Sequence, residues 1–392
     1  MAQNKHMSRD ELAQVRRVLQ ANGVDRRHFL RLAGALGVAA VGAPVLFSSG
    51  APASALGGVR PRSTELNNRY GWMIAVNVPF FELSMTRWME QELEGTGYEL
   101  VVQSEDNNAV QAQQIMEQML ADRYAFIAKA DGTPPEPYES LAATASEQGT
   151  FFQNHSVQAI TGAGQNVLFD HAAAGEGIGT AAVEWATANG ISTPIIGVLG
   201  SLGDPEAIKR TSVAVDTITE AFPDTEVSGE VEARELVEDG AEGAGNLLAA
   251  NPDINMLLTF NTISGMGAVQ AATEAGKTDP TTFFVGMADT EAATQDLIAS
   301  GDSVVQANWG ALFEISAVLL VRDVLKFAAG ETVPPTRALG GRLLRTAEDV
   351  EAYRVIAEDP TADSAADAYN DPSLVRYSDV PVMTGQSIND VE

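Results

Sequence analysis

The run Trp72-Met73-Ile74-Ala75-Val76, closed by Asn77, sets the reading of the chain, because the pattern it begins is repeated down the sequence. Phe81, Met85, Trp88, Met89 and Leu93 recur at helical spacing up to Gly95, so the stretch reads as strand, loop, helix. The cycle continues outward with strand 98–103, helix 110–120, strand 124–128, helix 138–148 and strand 151–154. A second series begins at Asn166-Val167-Leu168-Phe169, with helix 178–188, strand 194–199, helix 205–222 and strand 225–232. Helix 241–250, strand 256–260, helix 265–275 and strand 282–287 complete it. Such alternation predicts an α/β protein with two doubly wound parallel sheets, and no stretch calls for an antiparallel hairpin. The helix predicted over 312–329 comes after the second series, so the chain is expected to cross back into the first lobe and build a hinge of several crossovers.

The chain has 392 residues, 45% of them hydrophobic and 20% charged. That is ample for two lobes with buried cores, and mean hydropathy is -0.03. Lysine plus arginine number 24 against 53 acidic residues, a net charge of -29, which argues against nucleic acid and anionic lipid surfaces as partners. There is no cysteine, so disulfides, thiolate nucleophiles and cysteine-bearing metal sites are excluded. The four histidines, His6, His28, His155 and His171, are too few for a histidine-rich metal centre. With no G-x-G-x-x-G after a strand and no G-x-x-x-x-G-K-[ST], a nucleotide-cradling loop is unsupported. No cofactor and no metal are expected.

Asp25-Arg26-Arg27-His28-Phe29-Leu30-Arg31 precedes a mild apolar run, 32–47, and the small-residue triplet Ala53-Ser54-Ala55. This resembles a twin-arginine (Tat) export signal, with Asp25 in place of the usual hydroxyl residue and Arg31 in place of lysine. The alternatives are an uncleaved anchor and an ordinary buried helix. Cleavage after Ala55 removes seven basic and three acidic residues, leaving 17 basic against 50 acidic. An acidic, lysine-poor surface fits a salt-adapted protein, and base composition alone explains it equally well.

Asn77-Val78-Pro79-Phe80-Phe81 after the first strand looks like the N-x-P-F-F loop of periplasmic sugar-binding proteins of the ribose-binding type. The order Gly245-Asn246-Leu247-Leu248, Asn251-Pro252-Asp253-Ile254, Phe260-Asn261, Gly267-Ala268, Ala275-Gly276-Lys277 and Val285-Gly286 is similar to the second-lobe pattern of that family. The resemblance covers residues 70 to about 357. It implies a type 1 periplasmic-binding fold whose lobes close on a small ligand at the C-terminal edges of both sheets, the place where open α/β sheets collect ligands. With it comes an expected organisation, in which 1–55 are a signal peptide, 56–69 a linker, 70–168 with 310–333 lobe 1, and 169–309 with 334–357 lobe 2. Residues 358–392, poor in apolar periodicity, are expected to form a solvated tail.

Carried over position by position, the resemblance implies ligand contacts at Phe80, Phe81, Asn154, His155, Arg210, Asn261, Asp289 and Trp309. Phe80, Phe81, Arg210 and Asn261 keep the family residue, and Asp289 does if one residue is inserted. Val78, Asn154-His155 and Thr262 replace polar family residues, and Trp309 falls where the family often has glutamine or an aromatic. Each position has a plainer reading. Phe80 and Phe81 could staple a helix start, Asn261 cap a helix, and Asp289 cap the helix beginning near Glu291. Arg210 with Lys209 could be a solvated surface pair, His155 with Asn154 an exposed strand end, and Trp309 a hinge filler.

The resemblance implies a protein without catalysis, a monomer that captures a monosaccharide or polyol and delivers it to the membrane subunits of an ABC importer. A component that docks on a membrane receptor as a sensor is one alternative. A Tat-exported enzyme with carboxylates assembled from different strands is the other.

Overall fold

A computed structural model describes residues 65–74, 81–106, 108–130, 133–202, 208–233 and 236–388, the side chains of 81–84 excepted. The first series of elements is β1 (Arg69–Ile74), α1 (Phe81–Leu93), β2 (Glu99–Ser104), α2 (Ala109–Ala121), β3 (Phe126–Lys129), α3 (Glu139–Gln148), β4 (Phe151–Ser156) and β5 (Gln165–Phe169). The second is α4 (His171–Ala188), β6 (Ile195–Gly200), α5 (Lys209–Ala221), β7 (Glu226–Glu232), α6 (Val237–Ala250), β8 (Met256–Thr259), α7 (Thr262–Glu274), β9 (Phe284–Ala288), α8 (Ala292–Ser300) and β10 (Val305–Ala311). After these come α9 (Phe313–Ala328), β11 (Thr336–Leu339), β12 (Gly341–Leu344), α10 (Ala347–Glu358), a 3-10 helix Asp363–Asn370 and β13 (Val375–Ser378).

Two sheets result, ordered β13-β11-β5-β4-β3-β1-β2 and β12-β10-β9-β8-β6-β7. The two doubly wound lobes are as expected. Interior strands such as β8 and β9 are buried at every position, as strands covered by helices on both faces must be. Strands β2 and β7 are partly exposed edges and carry Glu99, Glu226, Glu230 and Glu232, which keep an open edge from pairing with another chain. The pairings β10–β12 and β11–β13 are antiparallel, a correction to an all-parallel reading. Strand β10 lies in a stretch to which the sequence analysis assigns no element, since Gln306 and Asn308 interrupt its apolar run.

The chain crosses between the sheets at 169–171, 311–313 and 339–341, and once more before β13. Strand β11 therefore belongs to the first sheet, although 334–357 reads from sequence as second-lobe material. Residues 358–388 are likewise no solvated tail. Strand β13 pairs with β11, and Val382 and Ile388 are buried with Ala159, Leu168 and Ala338. A few spaced apolar residues suffice when a preformed sheet edge receives them, and a periodicity search over the segment alone is blind to that edge.

Between α9 and the first sheet runs a buried polar chain. Tyr70 Oη donates to Gln153 Oε1 (2.5 Å), Gln153 Nε2 to Gln165 Oε1 (2.8 Å) and Gln165 Nε2 to Asp323 Oδ2 (3.0 Å). The same carboxylate oxygen takes Arg337 Nη1 at 2.6 Å, and both partners of this ion pair are buried. It clamps the hinge helix α9 to the hinge strand β11.

Candidate functional site

At the C-terminal ends of the second-lobe strands, three of the expected residues meet. Arg210, in the first turn of α5, donates from Nη1 to Asp289 Oδ2 at 2.8 Å and to the Phe260 carbonyl at 3.0 Å. Its side chain is only 14% exposed, so it is not a solvated surface cation. Asp289 follows β9 with φ of 60°, a left-handed conformation that aspartate tolerates better than most residues. Its carboxylate faces Arg210, while α8 begins beyond Glu291, whose N–H donates to Thr294 Oγ1. The cap reading of Asp289 thus has no support in these contacts. Thr262 Oγ1 donates to the Asp289 carbonyl at 2.7 Å and braces the turn.

Asn261 is buried next to Phe260 and does cap α7: its Oδ1 accepts from Ser264 N at 2.9 Å and Ser264 Oγ at 2.8 Å. A capping asparagine with one amide face engaged can still present Nδ2 to a ligand, so the two readings are compatible.

The structure adds two residues that sequence reasoning missed. His171 opens α4 just after the first crossing, and its Nδ1 accepts from Arg210 Nε at 2.7 Å. Because a guanidinium only donates, the ring proton must sit on Nε2. Burial first, then the charges of Arg210 and Lys209, hold this imidazole well below its ordinary pKa, so it is neutral. Its Nε2 is buried with no hydrogen-bond partner among the described residues. Asn308 on β10 is fully buried, its Nδ2 lies 3.3 Å from Thr262 Oγ1, and its Oδ1 has no partner among the described residues. A histidine directly behind the strand-end Asp170 was the signal that could have found the first. For the second, the strand had to be recognised before its alternation could be used.

Trp309 alternates with Asn308 and packs elsewhere, its indole against Gly177 of α4 and over Gly341, where a Cβ would come within 2.6 and 2.4 Å of the ring. It fills space in the second lobe beside a crossover. On the first lobe, Asn154 joins β4 to β5, donating from Nδ2 to Asn166 Oδ1 (3.0 Å) and to the Gln158 carbonyl (2.8 Å). His155 is fully buried between Trp72 and Phe169, and its Nε2 lies 2.8 Å from Ser316 Oγ on α9. Its imidazole is pushed down to about 3 by burial and then by Arg337. Neither is an exposed strand end. Phe80 and the side chain of Phe81 lie outside the described residues, as do the export motif and its cleavage triplet.

The first sheet's C-terminal edge also carries a buried cluster. Thr133 Oγ1 donates to Glu105 Oε2 at 3.2 Å and lies 2.8 Å from Tyr138 Oη, and Lys129 Nζ sits 4.9 Å from the Tyr138 ring centroid. Glu314, in the first turn of α9, has a buried Oε2 without a partner among the described residues, and burial pushes its carboxyl up to about 7. A shallow depression of about 440 Å³ bounded by Asn67, Thr96, Tyr98 and Phe327 lies at the opposite, N-terminal ends of the strands. That is the wrong end for a ligand in an open α/β sheet. Among the described residues no group of three or more histidine, aspartate or glutamate side chains is placed to hold a metal ion.

Two doubly wound lobes, several hinge crossings and polar groups converging at the strand ends define a two-lobed binding protein. Residues 72–320 match the periplasmic binding protein domain, and the chain belongs to that family. Similar solved structures include a periplasmic solute-binding protein of Actinobacillus succinogenes with bound D-allose, at 18% identity and TM-score 0.63, covering 73% of this chain and 99% of that one. A Bacillus halodurans solute-binding protein with bound myo-inositol gives 18% and 0.63, covering 75% and 99%. One from Mycobacterium smegmatis with bound glycerol gives 20% and 0.61, covering 72% and 96%. No curated protein matches the chain.

Proposed function

We propose that the chain is an extracytoplasmic solute-binding protein that captures an uncharged sugar or polyol between its lobes for an ABC importer, without catalysis. The observation that carries the reading is the Arg210–Asp289 pair beside Asn261, His171 and Asn308 at the ends of the second-lobe strands. Sugar hydroxyls need partners that donate and accept, and an ion pair whose charges cancel supplies both without attracting a charged ligand. Similar folds hold D-allose, myo-inositol and glycerol, each a polyhydroxyl compound. Phe80 and Phe81 would stack on the C–H face of such a ligand from the first lobe. Export would follow the twin-arginine route through Arg26 and Arg27, with cleavage after Ala55.

A melting-curve panel of D-allose, myo-inositol, L-arabinose and glycerol against the purified chain tests the reading. Ligand at a hundred times Kd stabilises by about 2.7 kcal/mol and raises Tm accordingly. Asp289→Ala should weaken the bound ligand on the order of thirty-fold by calorimetry, about 2 kcal/mol for a lost charge-assisted contact. A wider set of neutral sugars and polyols that leaves Tm unmoved would overturn the assignment.

A further inference from the structure

The C-terminal segment touches the site at two points, and both contacts are one residue away from the same hydrogen bond. Arg376 on β13 donates from Nη2 to Asp170 Oδ2 at 2.8 Å, while Asp170 Oδ1 accepts from Ala173 N at 2.9 Å and starts α4. The next residue is His171. Further along, Ser387 Oγ accepts from Lys209 Nζ at 3.1 Å, and the residue after Lys209 is Arg210. His171 and Arg210 are the pair joined at 2.7 Å, the bond that places the imidazole proton on Nε2.

The segment that holds them is anchored in the other lobe. Arg376 pairs with Ala338 of β11. Ala159 N donates to the Gln386 carbonyl at 2.8 Å, Thr384 donates from N and Oγ1 to Thr161 Oγ1, both at 2.9 Å, and Thr161 N donates back to Thr384 Oγ1 at 2.8 Å. Ile388 is buried with Ala159 and Leu168. Asp170 and Ser387 are themselves buried, so these are not solvent-screened surface contacts.

We propose that this C-terminal strap is a positioning element for the ligand site, with Arg376 and Ser387 as positioning residues that hold His171 and Arg210 in register across the lobe boundary. The proposal rests on the sugar-binding reading for its consequence in affinity. Its structural content stands apart from that reading: the strap sets the His171–Arg210 bond whether or not the ligand is a sugar.

The test uses the imidazole nitrogens of the full chain, labelled with nitrogen-15, with His171→Gln assigning the signal among four histidines. The wild type should show His171 as a single tautomer protonated at Nε2. In Arg376→Ala and Ser387→Ala its two nitrogen shifts should move toward each other, with Arg376→Lys restoring part of the separation. The Kd of any sugar from the panel that the wild type binds should rise roughly tenfold, which is 1.4 kcal/mol. Unchanged His171 shifts in both alanine variants would overturn the proposal, whatever happens to their melting points. Ser387→Ala removes one oxygen and keeps the test open if Arg376→Ala does not fold. If no sugar binds the wild type, the sugar reading falls and the imidazole shifts still decide the strap.

Discussion

His155 is fully buried on β4, so folding has to strip its imidazole of water. Placed by resemblance among the ligand contacts, it is instead packed between Trp72 and Phe169 and joined to Ser316. Its pKa falls to about 3 when folded, against about 6.5 when unfolded. The unfolded chain therefore binds the extra proton first. The stability this group contributes is fully present above about pH 6.5 and is lost as pH falls toward 3, by up to about 1.4 kcal/mol per pH unit. Replacing it in His155→Gln, which keeps a polar partner for Ser316, should flatten the fall in unfolding free energy between pH 6 and pH 4 by about that slope. Parallel wild-type and mutant curves in urea titrations would show that the folded imidazole titrates normally. Arg210 near a helix start and Asp289 just past a strand were legible as residue types, but their contact, and the tie to His171, joins positions 79 and 39 apart in sequence. Local pattern carries no information about such distances.

At the scale of elements, the hinge turns on the junction between β11 and β12. Gly340 sits there, donates to the Leu374 carbonyl at 2.9 Å, and leaves room for the incoming C-terminal segment: a Cβ would meet the Ser373 carbonyl oxygen at 1.9 Å. That contact is with backbone and cannot be relieved by a rotamer change. Gly340→Ala should cost roughly 1 to 3 kcal/mol, as overpacking does, and should loosen β13 from β11. Hydrogen exchange is the direct measurement, with faster exchange at the β13 amides expected and an unchanged pattern arguing that the turn can shift. Most elements were predictable because buried parallel strands and amphipathic helices write their period into the chain. Strands β10 and β13 were not. Their stability comes from neighbours on the sheet: Gln306 and Asn308 break the apolar run of one, and the other is only four residues long, too short to show a period of its own.

For the whole molecule the dominant quantity is a net charge of -29. If the acidic surface is a salt adaptation, Tm should rise from low to molar KCl, where the Debye length shrinks to about 3 Å and self-repulsion is screened. A flat melting temperature over that range would leave base composition as the reason for the charge.

Sequence alone determined the two-lobed α/β class, because alternating strand and helix signals admit few arrangements, and it determined the family, because the second-lobe motifs keep their order from Gly245 to Gly286. It also excluded cysteine chemistry outright. Tertiary structure decided where β11, β12 and β13 belong, since each short strand takes its sheet from the edge that receives it. It decided that Asn308 and Trp309 look to different sides, through the two-residue period of a strand invisible until paired. And it brought His171, Arg210, Asp289 and the C-terminal strap together, because hydrogen bonds between distant segments depend on how the chain folds back over its crossings and leave no mark on local composition.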